Sequence, residues 1–536
     1  MTPHRPNNRS WRIAWWILFG VIFVVILAIR IRLLGLPLER DEGEYAYAGQ
    51  LLLDGVPPYR LAYNMKFPGT YVAYALCMSI FGQSAIGVHL GLLIVNAATI
   101  ALMFFLGRRL LDEIAGIAGA ASYAILSLGP TVLGFAGHAT HFVVLPALGG
   151  AILLLGALDR QSIARFFWSG LFFGLAVIMK QPGAAFVMFG LSYIVFVQWK
   201  RPVEPRRLLL QVAVFLGGVI VPTAVTGLWL WRSGVFDKFW FWCVEYAREY
   251  GSRVSISLGW EVLANAIPRV VGATWALWGL AFVGIISSAF VFKSAATKFF
   301  VFGWLVCSAL GVSAGFYFRP HYFILLLPAL SLFVGTIASS LFQATQSKQT
   351  WLKFGFFGLF AGALTLPLFA ERDFFFQAPL DIASRLVNGT NPFPECVRIA
   401  QFLRERTSAS DTIAVLGSEP QIYFYAHRRA ASGYIYAYPL MEPHRFARQM
   451  QEEMVREIET AHPKFVVFVQ VDTSWLVQPD SHQMVFEWFT EYSARELKPA
   501  GLVNIVSGRH TDYYLPYASE MVTPSPYRIT IYERKS

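Results

Sequence analysis

From about residue 12 to residue 370 the chain repeats one pattern, a long apolar run followed by a short polar link. The runs fall near 12–34, 85–106, 114–133, 141–158, 165–180, 184–198, 208–231, 264–291, 299–315, 321–342 and 351–370. A helix needs about 20 apolar residues to cross the hydrocarbon of a bilayer, and most of these runs reach that length. A membrane β-barrel would show short alternating segments instead. Composition agrees: 56% of the 536 residues are hydrophobic and 14% charged, too little charge to cover the surface of a soluble protein. The reading is a polytopic α-helical membrane protein with about eleven transmembrane helices.

The links orient it. Arg108/Arg109, Arg160/Arg165, Lys200/Arg201/Arg206/Arg207, Lys293/Lys298 and Lys348/Lys353 all fall in alternate links. With the N-terminus in the cytoplasm these links lie inside, where loop cations concentrate. An odd number of spans then sends the C-terminus to the extracytoplasmic side. The net charge of +11 (44 basic, 33 acidic) is accounted for in this way, and no basic stripe interleaves with a nucleic-acid motif. Nucleic acid is not an expected partner. Ile13–Ile29 resembles a signal peptide, but no small-residue cleavage site precedes Arg30, so it reads as a retained anchor. The cysteines have neither metal-ligand nor redox spacing; a bridge between Cys243 and Cys396 is left open.

Near residue 371 the composition changes. Residues 371–536 mix charged helices (394–406, 443–461) with short β-branched strands (412–416, 465–471, 527–532). They read as a small soluble α/β domain outside the membrane, following a transmembrane catalytic domain over 1–370. The aromatic stretch IYFYAHRRAASGYIYAYPL could line a carbohydrate surface or pack on the membrane domain.

The chemistry concentrates on the outer side. RDEGEYA, directly after the first span, places Asp41, Glu42 and Glu44 beside lipid, with Glu39 just before them. A helix over about 41–53 is expected, broken by Val56-Pro57-Pro58, with a second interfacial helix from near Pro68. Asp41 would open the first helix, where the dipole favours an anion; capping is its purely structural role. Glu44, one turn on, would share its face. Glu39 reads as a solvated residue ahead of the helix. Lys66 in YNMKFPG and Arg319 with His321 in FYFRPHYF add cations at the same face. A carboxylate with separated cations suits a phosphate-linked lipid donor: the cations stabilise the departing phosphate and the carboxylate takes a proton from an incoming hydroxyl. Tyr59, Tyr63 and Tyr322 are candidate lining residues. His138 and His141, three apart in GHATH, have a spacing that could share a divalent metal; no third ligand stands in the motif, so no metal is assigned. Lys180 in MKQPG reads as a snorkelling anchor, with a further lipid-phosphate contact as the alternative.

The acidic pair after span one, the Lys-x-Pro-Gly element and HYFILLLPAL in a late span together resemble the GT-C glycosyltransferases. The likeness is to glycosyltransferase family 39: protein mannosyltransferases and the bacterial aminoarabinose transferases. It covers roughly residues 10–370. PFPECVRIAQFLRE and SEPQIYFYAHRR resemble periplasmic domains of bacterial members. The resemblance implies an enzyme of the cytoplasmic membrane that moves a sugar from a polyprenyl-phosphate donor to a glycan, lipid or protein hydroxyl, with inversion. It implies Asp41 as base, Glu42 as the acid that orients base or acceptor, and Lys66 on the lipid phosphate, with Arg319 neutralising the same leaving group. Phe67 departs from the family's Lys-Pro-Pro element, and Glu44 stands where some aminoarabinose transferases carry arginine. A flippase or secondary transporter is the competing class; it should place ionisable groups near midmembrane.

Overall fold

The computed structural model describes residues 9–201, 203–345, 349–517 and 525–535. Its first half is a helical bundle: α1 (Arg9–Arg32), α2 (Arg40–Leu53), α3 (Gly69–Phe81), α4 (Ala85–Leu110), α5 (Glu113–Leu126), α6 (Ala139–Arg160), α7 (Ile163–Met179), α8 (Ala184–Lys200) and α9 (Pro205–Arg232). Further long helices cover Ile256–Val271, Trp275–Val291, Ala295–Val312, Leu327–Ala344 and Thr350–Ala370.

All eleven expected runs are helical, but among the described residues nine segments are long and apolar enough to span a membrane. The expected spans at 114–133 and 165–180 form α5 and α7, of 14 and 17 residues. Each is cut short by local chemistry. α5 stops before Gly129-Pro130, and α7 stops at Lys180, where the backbone turns extended before Gln181-Pro182-Gly183. α5 is buried along its whole length, so protein rather than lipid surrounds it. By contrast α9 exposes Leu209, Ile220, Val225 and Trp231, as a helix facing lipid should.

Small residues let these helices approach closely. A Cβ on Gly170 of α7 would stand 1.9 Å from the Phe215 carbonyl oxygen of α9, and one on Gly218 would stand 2.1 Å from that of Phe167.

The chain then enters a C-terminal sheet domain through helices Leu380–Asn388 and Phe393–Arg406. Six strands, β1 (Thr412–Leu416), β2 (Arg429–Ala430), β3 (Phe465–Gln470), β4 (Leu497–Ser507), β5 (His510–Tyr514) and β6 (Arg528–Arg534), pair in the order β2-β1-β3-β6-β4-β5. β1 runs parallel to β2 and β3, and the remaining pairs are antiparallel. β2, β4 and β5 lie outside the strand pattern expected from the sequence. All four cysteines are free thiols.

The domain sits directly on α2. A Cβ on Gly43 would be 2.6 Å from Gln421 Cβ, so only glycine lets α2 lie against helix Gln421–Ala426. Beside it the Arg40 guanidinium, 7% exposed, is ion-paired to the fully buried Glu419 at 2.6 Å. It also donates to the Ser418 carbonyl, the Tyr438 hydroxyl and Asn391 Oδ1. These contacts fix the N-terminal turn of α2, and with it the first acidic cluster.

Candidate active site

The start of α2 is built by a capping box. Glu39 is the cap: its carboxylate accepts from the Glu42 backbone N–H, while the Glu42 carboxylate accepts from that of Glu39. Two expectations are corrected here. Asp41 is not the cap but the second residue inside the helix, and Glu39 is not solvated but half-buried at a cavity wall. With the cap supplied by its neighbour, Asp41 is free of that structural duty.

Asp41 Oδ1 accepts from Lys66 Nζ at 2.8 Å and from the Tyr436 hydroxyl at 2.9 Å. Its Oδ2 faces two imidazoles, 3.7 Å from His138 Nδ1 and 3.9 Å from His321 Nε2. Glu44, one turn later, takes the same ammonium on Oε2 at 2.6 Å and the Tyr71 hydroxyl on Oε1 at 2.8 Å. Lys66 is thus held between two carboxylates, with the rings of Tyr45 and Tyr436 beside it.

Burial works against the charge on Asp41, but the Lys66 ammonium, with His321 and His138 beyond it, holds its pKa well below the usual carboxylate range. Burial pushes Glu39 well above that range, with Asp41 and Glu42 adding to the rise, and raises Glu44 in spite of Lys66. Burial also opposes the charge on Lys66, yet Asp41 and Glu44 outweigh it and its pKa rises well above the usual value. Burial lowers His138 to about 4 and takes His321 well below its ordinary value. At neutral pH the cluster therefore holds an ionised Asp41, a charged Lys66 and two neutral imidazoles.

Next to it opens a cavity of ≈ 390 Å³, within the range of small-ligand sites. Asp41, Lys66, Arg319, His321 and Tyr322 all line it, although the last three stand more than 250 residues from the first two. Glu44 lies behind Lys66, outside the lining. Glu42 is buried away from the cavity: it accepts from the Gly137 N–H and lies 3.1 Å from His89 Nε2. It braces the segment that presents His138 and does not reach the open space.

Tyr59 and Tyr63 do not line the cavity. Tyr59 is fully buried beside Leu230, Val235 and Cys243, and its hydroxyl donates to the Lys66 carbonyl. Tyr63 packs on Trp242 and Tyr434 and donates to Glu457. Both support the Lys66 loop from behind. The histidine pairing also differs from expectation. His138 stacks on His321, with centroids 4.1 Å apart and planes within 8°, while His141, buried within α6, is absent from the cluster.

Lys180, for which a lipid-phosphate contact was the second reading of the sequence, completes the walls with Tyr250, Tyr438 and Glu442, which the sequence did not mark as site residues. For Tyr436 and Tyr438 the aromatic stretch 422–440 was the available signal. Asp41, His138 and His321 offer ligand atoms within 4.8 Å of one another. Among the described residues both His138 ring nitrogens are buried without a hydrogen-bond partner. A neutral imidazole with free nitrogens next to an ionised carboxylate is a donor set that suits a divalent cation.

Comparison with known proteins identifies the architecture. The family model of dolichyl-phosphate-mannose-protein mannosyltransferases matches residues 66–231. No curated protein sequence matches the chain. The crystal structure of ArnT from Cupriavidus metallidurans bound to undecaprenyl phosphate superposes with a TM-score of 0.60 at 14% identity, covering 97% of this chain and 98% of that one. The fold is that of the GT-C glycosyltransferases. Archaeoglobus fulgidus AglB, an oligosaccharyltransferase in complex with an inhibitory peptide and a dolichol-phosphate, shares this GT-C fold with a TM-score of 0.52 at 14% identity over 97% of this chain and 76% of its own. The GT-C likeness to ArnT runs through both the bundle and the C-terminal domain, since nearly all of each chain is covered.

Proposed function

We propose that this protein transfers a sugar from a polyprenyl-phosphate donor to a hydroxyl acceptor at the extracytoplasmic face of the membrane, inverting the anomeric centre, with Asp41 as the base. The observation that carries this reading is the cavity itself, lined by both Asp41, ionised beside Lys66, and the Arg319 guanidinium. The lipid phosphates bound by ArnT and AglB support the donor class. The ionisable groups come from helix ends and connecting segments rather than from the middle of spans, which favours an enzyme over an ion-coupled transporter.

In this mechanism Lys66 and Tyr436 occupy Asp41 Oδ1, so the acceptor hydroxyl donates to Oδ2. Its oxygen attacks the anomeric carbon from the face opposite the phosphate. The new C–O bond forms as the sugar–phosphate C–O bond breaks, the bonding pair leaves with polyprenyl phosphate, and the acceptor proton ends on Asp41. A carboxylate held well below its usual pKa is a weak base at rest. It takes the proton late, when bond formation has made the hydroxyl strongly acidic. Arg319 offsets the charge that gathers on the leaving phosphate. Asp41, His138 and His321 would hold a divalent cation in an alternative state of the site, in which the cation rather than an acceptor hydroxyl would meet Oδ2.

The test is to incubate purified protein with radiolabelled polyprenyl-phosphate sugars and with glycan, lipid and protein acceptors. Label is expected to move to an acceptor with the anomeric configuration inverted. Transfer from a nucleotide sugar but from no polyprenyl-phosphate sugar would overturn the proposal.

A further inference from the structure

The cavity beside α2 has two unlike walls. Its cations, Arg40, Lys66, Lys180 and Arg319, all come from the membrane bundle and its loops. The C-terminal domain contributes Tyr436, Tyr438, Pro439 and Glu442, and Glu442 is the one charged group among them. The connection that follows α9 adds Tyr246 and Tyr250.

Glu442 is only half committed to the protein. Its Oε2 accepts from the Tyr246 hydroxyl at 2.7 Å and pairs with Arg253 at 3.0 Å. Among the described residues its Oε1 has no hydrogen-bond partner, and Arg253 stands outside the cavity lining. The turn that carries Glu442 is fixed from three sides. Gln451, fully buried, donates to the Leu440 carbonyl, Ser481 donates to that of Met441, and His444 Nε2 lies 2.8 Å from the Pro439 oxygen. A carboxylate held this way, with one oxygen tied back and the other unpaired at a cavity, can only accept hydrogen bonds from a ligand.

The tyrosines of this wall give their protons elsewhere. Tyr246 donates to Glu442, Tyr436 to Asp41 at 2.9 Å and Tyr438 to the Thr473 carbonyl at 2.7 Å. What they leave to the cavity is ring surface. Tyr436 and Tyr438 stand edge to face with centroids 4.9 Å apart, and Tyr250 is held by stacking on Tyr317 at 4.3 Å. A molecule that suits this wall must bring its own donors for Glu442 and C–H faces for the rings. Sugars carry both. An ionised phosphate or carboxylate brings acceptors alone and would meet Glu442 as a like charge.

The approach of the two substrates agrees with this division. A polyprenyl donor is tethered in the bilayer and reaches the cavity along the bundle, which leaves the domain wall to the acceptor.

We infer that Glu442, with the rings of Tyr438 and Tyr250, forms the acceptor subsite, and that the acceptor is an uncharged carbohydrate. The inference rests on the sugar-transfer reading above and names the acceptor class for the same cavity. A hydroxyl other than the reacting one donates to Glu442 Oε1, which leaves the attacking hydroxyl to Asp41.

The experiment is equilibrium binding to the full-length purified protein in lipid nanodiscs, read by calorimetry and saturation-transfer NMR. The probes are neutral trisaccharides (maltotriose, cellotriose and mannotriose), the anionic trigalacturonate and the cationic glucosamine trimer. At least one neutral trisaccharide should bind, with saturation strongest on its ring C–H protons, and trigalacturonate should bind more weakly. Glu442→Ala should weaken the neutral trisaccharide about tenfold or more, the scale of a hydrogen bond to a charged group. Arg253→Met breaks the same ion pair from behind but keeps Oε1, so it should retain most of the affinity. Undecaprenyl phosphate bound by Glu442→Ala shows that a lost acceptor contact is not a lost fold.

Three results overturn the inference while the proposed function stands: no neutral trisaccharide binds, trigalacturonate binds as tightly as they do, or Glu442→Ala keeps wild-type affinity. An equal loss in Arg253→Met assigns the effect to the ion pair rather than to the free oxygen and overturns it as well. Preference for the glucosamine trimer, abolished in Glu442→Gln, makes the ligand an ammonium and overturns the uncharged class. A wild-type protein that binds no undecaprenyl phosphate overturns the proposed function and the acceptor role together.

Discussion

Glu419→Ala should loosen the base's own helix without touching the cavity. Glu419 is fully buried, and its carboxylate pairs with Arg40 at 2.6 Å and with the Gln421 amide at 2.6 Å. Removing it leaves a largely buried guanidinium with only neutral hydrogen-bond partners, a change that costs about 3–5 kcal/mol. Because the cost arises at one interface of a multi-part protein, a single melting temperature would not report it cleanly. Hydrogen exchange over 40–53 and 418–426 would, since it reads local opening. We expect protection of both segments to fall together, with Glu419→Gln intermediate and the Arg40→Met/Glu419→Leu pair less damaged than Glu419→Ala alone. Activity should fall as well: Arg40 adjoins Asp41, and a misplacement of about 1 Å at a reacting group costs about 10²-fold. Unchanged protection of α2 in Glu419→Ala would refute the claim that this ion pair anchors the site to the C-terminal domain.

Tyr436→Phe removes a hydroxyl that the C-terminal domain donates to Asp41 at 2.9 Å; kcat should drop by about tenfold with donor affinity unchanged, the worth of one hydrogen bond to a charged group. Gly43→Ala puts a methyl 2.6 Å from Gln421 Cβ and should destabilise the α2 interface by about 1–3 kcal/mol, read by hydrogen exchange at the same segments.

The spans, the acidic segment after the first of them and the cationic positions at 66 and 319 were legible because apolar runs and charges beside lipid carry their cost openly in sequence. Partner choice was not. Nothing in YNMKFPG shows that Lys66 is neutralised by Asp41 and Glu44, because that depends on a loop folding back over α2. Glu39 looked solvated, since a capping box is visible only once the helix start is known to be Arg40. The pairing of His138 with His321 joins segments 183 residues apart, so the nearby His141 was the visible but mistaken candidate. Tyr59 and Tyr63 were placed at the pocket on proximity to Lys66, yet they are large apolar bodies that pack more favourably behind the loop than in front of it. The wall formed by Tyr436, Tyr438 and Glu442 belongs to a domain that docks on α2 through Gly43, the Arg40–Glu419 pair, the Tyr47–Tyr423 ring contact and a shared apolar cluster.

The central claim is that Asp41 is the base of a transfer from a lipid phosphate. Asp41→Asn keeps the oxygen that Lys66 and Tyr436 bond and removes the charge that accepts a proton. Single-turnover transfer from a radiolabelled polyprenyl-phosphate sugar, measured beside undecaprenyl-phosphate binding in the same preparation, tests the claim directly. We predict a transfer rate lower by about 10²- to 10⁴-fold with binding retained. Transfer at the wild-type rate in Asp41→Asn would contradict it.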